Sequence, residues 1–363
     1  MSISRHYVLA AGGTGGHLIP AFALGQELLH RGHHVALITD ERGAKIPGAP
    51  EKIATHILPA GRITKSPGSW LPGVKAIAEG RLMARRLYDS FEPSAVVGFG
   101  GYPAFPALLG AFAENVPTII HEQNAVLGRV NRFTARQVNA IATAYPDILR
   151  LSPRYQDKVH LVGNPVREEV VRLVDPVDRY AQRTGALRVL VVGGSLGATA
   201  LNTLLPQAFA NMSPDARPIV THQAGAQHID ALQRAYADEG VQAHCVAFIE
   251  DMAHALGQTD LLICRAGAMT VAEVSAAGVA ALFVPFPFAV DDHQTANAKF
   301  LTDVGAGWVL QQKDMTAEGV AQWLSVRTRE ELSVVAQRAR THAQPYAAQR
   351  IADICEELAG GNR

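Results

Sequence analysis

The chain reads as an α/β protein built from two doubly wound parallel sheets, and three observations predict it. Short apolar runs alternate with amphipathic stretches of helical length along all 363 residues, the signature of successive βαβ units. A strand, a glycine-rich turn and a helix open the chain at YVLAAGGTGGH, and the same succession restarts at RVLVVGGSLGA. The length itself favours about two domains.

Composition fits that class and excludes others. The 48% hydrophobic content with 32 glycines and 6% aromatics suits alternating strands and helices joined by tight turns. No run has the apolar length needed to span a bilayer, and MSISRHYVLA leads into a strand without a signal-peptide pattern, so a cytoplasmic location is expected. Cys245, Cys264 and Cys355 form no C-x-x-C pair and no metal-ligand spacing; buried thiols are expected, with no metal and no cofactor. Formal charge is zero, but residues 1–163 hold 17 Lys and Arg against 11 Asp and Glu, and the remainder is acidic by the same margin. A basic first half tolerates a phosphorylated or membrane-surface partner, and nothing in the pattern points to nucleic acid.

Residues 7–11 form the first strand, followed by GGTGGH and a helix with Pro20 in its first turn, ending at Gly32. The next strand is 35–39. This unit resembles a dinucleotide fold in which Asp40 would hold a ribose, yet G-G-T-G-G-H lacks the G-x-G-x-x-G spacing and brings in an imidazole, His17. Residues 61–73 are a turn-rich loop. The helix expected over 74–91 mixes Val74, Ile77, Leu82 and Met83 with Lys75, Arg81, Arg85 and Arg86, with Trp70 and Leu71 just ahead. Such a mixture is either an interfacial membrane patch or an ordinary amphipathic cover for the sheet. Strands at 95–99 and 118–120 end in GGYP and HEQN, so Tyr102, His121, Glu122, Gln123 and Asn124 should gather at the sheet edge that carries His17. Arg129, Arg132 and Arg136 make one basic stripe on the following helix, either a solvated face or an anion-attracting rim.

A strand at 159–162 closes the first half in GNPVR, and a charged segment to about Gly185 reads as a linker. After the restart, strands are expected at 219–221, 241–248, 261–264 and 281–284, then helices at 317–324, 329–340 and 347–358 with no further strand. The most informative stretch is 264–297. Gly267 and Ala268 leave main-chain N–H groups of a helix start open to an anion, Arg265 could add a charge, and Ser195 with Gly194 in the second glycine turn could bind a phosphate as well. Glu273 could accept hydrogen bonds from two ribose hydroxyls, while Gln294 and Asn297 suit a sugar. Together they describe a nucleotide-sugar pocket.

With GGTGGH, GGYP, HEQN, GNPVR, GGS-x-GA, CRAGAMTVAE and HQTANA in that order, the chain resembles the MurG family, bacterial N-acetylglucosaminyltransferases that convert lipid I into lipid II. The resemblance implies a GT-B architecture of two Rossmann-like domains with parallel sheets facing across a cleft. It places an acceptor and membrane-associating domain at 1–163, a UDP-N-acetylglucosamine domain at 164–340, and a bracing C-terminal helix at 341–363. It implies that uracil lies near Phe248 and Ile249 and against Arg167, ribose on Glu273, and diphosphate near Ser195 and Ala268, Met269 and Thr270. Gln294, with His293 and Asn297, would read the sugar. Lipid I would place its diphosphate at Thr14, Gly15, Gly16 and His17, and its sugar near Tyr102, Glu122 and Asn124. One departure is Leu196, where the family usually has Gln after GGS.

The implied reaction is one inverting displacement: the muramyl C4 hydroxyl attacks C1 of the donor sugar as UDP leaves, at a metal-independent site. It needs a base for the hydroxyl and stabilisation of the leaving diphosphate by helix N-termini and Arg265. His17, of a residue type whose ordinary pKa near ~6.5 suits proton transfer at neutral pH, is the first candidate base and Glu122 the second; His17 could equally ligate the acceptor phosphate. The expected location is peripheral, on the cytoplasmic face of the bacterial inner membrane. The rivals are a transferase of the same fold with another acceptor, a non-catalytic sugar-nucleotide binding module, and a nicotinamide-dependent oxidoreductase using residues 12–16 with Asp40.

Overall fold

The computed structural model describes residues 3–59, 70–194 and 197–360. The chain divides into two units, Met1–Val166 with Gln344–Arg363, and Arg167–Ala343.

In the first unit seven strands, β1 (His6–Ala11), β2 (His34–Thr39), β3 (Ala54–Ile57), β4 (Ala95–Gly100), β5 (Thr118–Glu122), β6 (Ala140–Thr143) and β7 (Val159–Leu161), pair in parallel in the order 3-2-1-4-5-6-7. Order reversal beside β1 makes a switch point there, where the carboxyl ends of β1 and β4 diverge and open α/β sheets hold their ligands. Helices α1 (Gly15–His30), α2 (Trp70–Phe91), α3 (Ala104–Ala113) and α4 (Arg129–Thr134) complete the βα units. Successive β1 residues point to opposite faces. Tyr7, Leu9 and Ala11 therefore join the cluster holding Leu18, Leu24 and Leu28 of α1, whereas Val8 and Ala10 join Ala84, Tyr88, Ala104 and Leu108 of α2 and α3. With both faces covered, the strand reads as continuous apolar sequence.

The second unit repeats the plan with β8 (Arg188–Val192), β9 (Ile219–Gln223), β10 (Ala243–Val246), β11 (Leu261–Cys264), β12 (Ala280–Phe283) and β13 (Trp308–Val309), parallel in the order 10-9-8-11-12-13. Its helices are α5 (Glu168–Val171), α6 (Pro176–Ala181), α7 (Thr199–Ala210), α8 (Ile229–Asp238), α9 (Met252–Gly257), α10 (Ala268–Ala277), α11 (His293–Thr302), α12 (Ala317–Ser325) and α13 (Arg329–Thr341). Asp260, fully buried, ties the unit together: it accepts from Arg183 Nη1 at 2.6 Å, Arg329 Nη2 at 3.1 Å and the Arg188 amide at 2.9 Å. The final helix α14 (Ala347–Gly360) belongs to the first unit, where Ile351, Ala352 and Cys355 pack into the α1 side of the core and Arg31 pairs with Asp353 and Glu356.

Several features differ from the sequence expectations: Pro20 lies inside α1 as its sixth residue rather than in the first turn, α2 begins at Trp70 within the expected loop, and Arg136 falls beyond the end of α4. The charged segment 164–185 is not a linker but folds as α5 and α6, because its charges have structural uses. Asp175 caps α6 through the Val177 amide, and Arg179 donates to the carbonyls of Leu256, Ala277 and Gly278. Strands β3, β6 and β13 lie outside the expected set; each has four residues or fewer, too short for a period-two pattern to stand out.

Candidate functional site

In the first unit the chain leaves β1 at Ala11, turns through residues 12–14 and enters α1 at Gly15. The N-cap Thr14 makes no side-chain cap, so the first-turn amides of α1 depend on groups other than a capping side chain. The turn is fixed from below by Asp40, buried at the end of β2, whose Oδ1 accepts from the amides of Gly13 at 3.2 Å and Gly43 at 2.7 Å. That use removes Asp40 from the ribose-binding role of the oxidoreductase reading: its acceptor faces the protein's own main chain.

His17, in the first turn of α1, is half-buried against the end of β4. A Cβ on Gly100, which has φ +93°, would lie 3.1 Å from its ring. Its Nδ1 is 3.1 Å from Gln123 Oε1, and Gln123 Nε2 reaches His121 Nδ1 at 3.0 Å. The tips of β4 and β5 thus meet the first glycine turn, as the sequence predicts. Tyr102 is 37% exposed beside them and Asn124 half-buried.

Glu122 is placed differently from the expectation that it rivals His17 as base. It is 2% exposed, and its carboxylate accepts from the amides of Asn124 at 3.0 Å and Gly128 at 2.8 Å and from Asn131 Nδ2 at 2.9 Å. A carboxylate so engaged organises the loop between β5 and α4 and is not presented to an acceptor sugar. Asn124 takes its orientation from this same network.

In the second unit the corresponding turn leaves β8 at Val192. Ser195 and Leu196 lie outside the described residues. Gly197, with φ +75°, shows how tight the turn is: a Cβ there would stand 2.0 Å from the carbonyl oxygen of Ala224. Gln223 at the end of β9 donates to the carbonyls of Gly194 and Ala247. At the switch point, α10 starts at Ala268 with Gly267 as N-cap and no side-chain cap. The Ala268 and Met269 side chains are buried, so any contact to an anion there comes from main-chain N–H groups; Thr270 is half-buried beside them.

Glu273 lies one turn further along α10, 9% exposed, with Arg167 Nη2 at 3.8 Å from Oε1. Burial raises its pKa and Arg167 opposes the rise. Arg167 reaches it from the N-cap of α5. Gln294 Oε1 accepts from the amides of Ala266 at 3.2 Å and Phe286 at 2.9 Å, which holds the start of α11 against the end of β11. Ile249 is half-buried, Phe248 is 59% exposed, and His293 Nδ1 bonds the Val290 carbonyl.

Two donor residues expected from sequence have other tasks. Arg265 Nη1 donates to the carbonyls of Val284 and Pro285, and Nη2 donates to Gln312 Oε1 at 2.6 Å. Its guanidinium clamps the segment that follows β12, where the Val284 and Pro285 carbonyls lie beyond the paired strand. Asn297 is fully buried and donates to the Ala266 carbonyl at 3.1 Å; it fixes the turn before α10 and is not exposed to a sugar.

The described architecture matches known proteins along almost its whole length. Models of the glycosyltransferase family 28 N-terminal and C-terminal domains match residues 7–143 and 188–358. A UDP-N-acetylglucosamine--N-acetylmuramyl-(pentapeptide) pyrophosphoryl-undecaprenol N-acetylglucosamine transferase of Erythrobacter litoralis is 48% identical, covering 99% of this chain and 91% of that protein. The like-named protein of Bordetella pertussis is 50% identical over 97% of each. The crystal structure of Acinetobacter baumannii MurG superposes with a TM-score of 0.83 at 37% identity, over 97% of this chain and 99% of that one. The chain belongs to the MurG family. Its fold is the GT-B type, with one Rossmann-like domain in each unit.

The sequence brings His121 and Gln123 to the edge of His17 and names Asp40 as a ribose ligand, but it does not give the tasks they have here: Asp40 as a turn brace, His121 and Gln123 as partners behind His17, and, not named at all, Gln223 behind Gly194. One signal was present. Each is a polar residue at the very end of an apolar strand, where solvent exposure is low and an unpaired polar group is costly.

Proposed function

We infer that this chain transfers N-acetylglucosamine from UDP-N-acetylglucosamine to the C4 hydroxyl of the muramyl sugar of lipid I, with inversion, giving lipid II in peptidoglycan synthesis. The observation that carries the reading is the 48–50% identity over nearly the full length to transferases named for this reaction. The paired glycine turns at two switch points agree with a two-substrate enzyme.

The residue roles are the ones the family resemblance implies, kept where the geometry supports them. Main-chain amides at Ala268, Met269 and Thr270, with the turn that includes Ser195, bind the donor diphosphate and stabilise the charge that grows as UDP leaves. Glu273 takes the ribose hydroxyls once Arg167 is drawn to the nucleotide, and uracil rests at Ile249 and Phe248. Gln294, its carbonyl oxygen committed to the main chain, offers its amide N–H groups to the donor sugar. In the first unit Thr14, Gly15 and Gly16 receive the acceptor diphosphate, Tyr102 and Asn124 its sugar, and His17 takes the hydroxyl proton.

No helix among the described residues is long and apolar enough to cross a membrane. The exposed face of α2 carries Leu71 at 85%, Val74 at 59%, Leu82 at 49% and Met83 at 41% exposure among exposed Lys75, Arg81, Arg85 and Arg86. That combination suits peripheral attachment to an anionic bilayer at the cytoplasmic face of the inner membrane, where lipid I is presented. Ile77 is half-buried, and the Trp70 side chain lies outside what is described. A panel of sugar nucleotides with a lipid I analogue, following UDP release, tests the function: turnover with UDP-N-acetylglucosamine is expected, and preference for another donor or another acceptor would overturn it.

A further inference from the structure

His17 belongs to a hydrogen-bonded chain whose direction is fixed by main-chain carbonyls, which only accept. The Gly163 carbonyl oxygen is 2.9 Å from His121 Nε2, so that nitrogen carries a proton. His121 is fully buried, and burial brings its pKa down to about 4; the ring is therefore neutral at physiological pH, and its Nδ1 is an acceptor. Gln123 Nε2 lies 3.0 Å from that Nδ1 and 3.2 Å from the His121 carbonyl oxygen. Both are acceptors, so two independent contacts orient the amide with its NH2 towards His121. Oε1 then faces His17 Nδ1 at 3.1 Å and accepts from it.

We propose that His121 and Gln123 are positioning residues that hold neutral His17 as the Nδ1–H tautomer, leaving the basic lone pair on Nε2. The proposal deepens the reading of His17 as the base and rests on it. An Nε2 lone pair accepts a hydroxyl proton but does not donate to a phosphate, so this tautomer separates the two roles that the sequence leaves open for His17. As the bond from the acceptor oxygen to C1 forms and the bond from C1 to the UDP oxygen breaks, the hydroxyl proton passes to Nε2 and the bonding pair leaves with UDP. The resulting imidazolium keeps its Nδ1–H on Gln123 Oε1 and later returns the new proton to solvent. An amide in this position fixes the tautomer without the added basicity that a carboxylate partner would confer.

The test reads the tautomer directly on the full chain. Histidine ring 15N shifts are recorded above the titration of His17, with His17→Gln assigning its signals. Protonated Nδ1 with pyridine-type Nε2 is expected, and the opposite pattern would overturn the proposal. Gln123→Met should move His17 towards the Nε2–H form that unconstrained histidine prefers and lower kcat about 10- to 100-fold, with UDP affinity within about twofold. An unchanged kcat with an unchanged tautomer would sink it equally. Gln123→Glu keeps an acceptor opposite Nδ1 and should retain the tautomer, while the acidic limb of the kcat profile moves up by about one pH unit. The wild-type spectrum decides should either variant fail to fold. Activity of His17→Ala tests the base assignment separately: full turnover there, beside the expected spectrum, would remove the base and leave the tautomer standing.

Discussion

The two glycine turns occupy equivalent places, each after the first strand of a sheet whose strands run 3-2-1-4-5-6, with a seventh strand added in the first unit, yet the side chains that hold them differ. The first combines close main-chain approach of Gly12 to Gly101 with side chains that ionise or carry protons: Asp40 under Gly13, and His17 linked through Gln123 to His121. The second is braced by main-chain closeness at Gly197 and by the neutral amide of Gln223. Each unit also buries a neutral imidazole. His121 is wired to the first turn, whereas His222 bonds Tyr236 and Asn202 inside the core. On the roles proposed above, the difference shows how one topology would serve two chemistries. A unit that must move a proton needs titratable groups at its turn, and a unit that must hold a departing diphosphate does better with fixed dipoles that cannot titrate.

The sharpest way to break this contrast is His17→Ala. It should lower kcat by about 10²- to 10⁴-fold, the usual contribution of a general base, while titration with UDP shows unchanged affinity. A loss of UDP binding would mean that the two turns do not divide the chemistry as described.

Next in size is a pair of glycine substitutions. Gly197→Ala puts a Cβ 2.0 Å from a carbonyl, whereas Gly13→Ala at φ +83° meets only the end of the Arg42 side chain at 3.2 Å. We expect Gly13→Ala to cost about 1–2 kcal/mol, the backbone strain alone, and Gly197→Ala about 3 kcal/mol or more, because main chain has to move. Chemical denaturation of both variants checks the order, and equal losses would refute the claim that the main chain around Gly197 is the more closely packed of these two sites.

Acid titration compares the two buried imidazoles. Burial lowers the pKa of His121 to about 4 and of His222 to about 3. For a base depressed in the folded state, the unfolded chain binds more protons between the folded value and ~6.5, so stability is complete above ~6.5 and falls as pH drops. Each should contribute a loss of order 1–3 kcal/mol by pH 4. Unfolding free energies measured from pH 7 to 4 should show this slope, and His222→Phe should flatten it; an unaltered slope in the variant would place the acid sensitivity elsewhere.

A smaller and opposite trade is expected at Glu273. Its raised pKa means that the folded state disfavours the carboxylate, so stability is full below the unfolded pKa and declines as pH rises through the folded one. Glu273→Gln should therefore raise Tm slightly at neutral pH and weaken UDP binding by about 1–2 kcal/mol. Calorimetry of both quantities checks it. A variant less stable than wild type would show that the Arg167 pair outweighs the cost of burial.

Much of the frame was legible in the chain alone. Continuous apolar strands such as 7–11 and 261–264 imply sheets covered on both faces, and the recurrence of strand, glycine turn and helix at Arg188 announces the second unit. The turns, GGYP and HEQN could be assigned to one sheet edge because parallel topology brings alternate loop ends to the same side. Residue type and spacing thus set the fold and the neighbourhood of the chemistry.

What sequence could not decide was the direction in which each polar side chain points. Arg265, Glu122 and Asn297 have the composition of ligand-binding residues, but buried carbonyls and amides nearby claim them first, since an unsatisfied main-chain group in the interior costs more than a surface contact returns. Conversely, His121 and Gln123 gain their place behind His17 only because β5 lies beside β4, more than a hundred residues along the chain from the turn they serve. Local pattern fixes which groups arrive at the strand ends, and tertiary packing decides which of them are left to meet a substrate, because only the assembled interior reveals which hydrogen bonds are already taken.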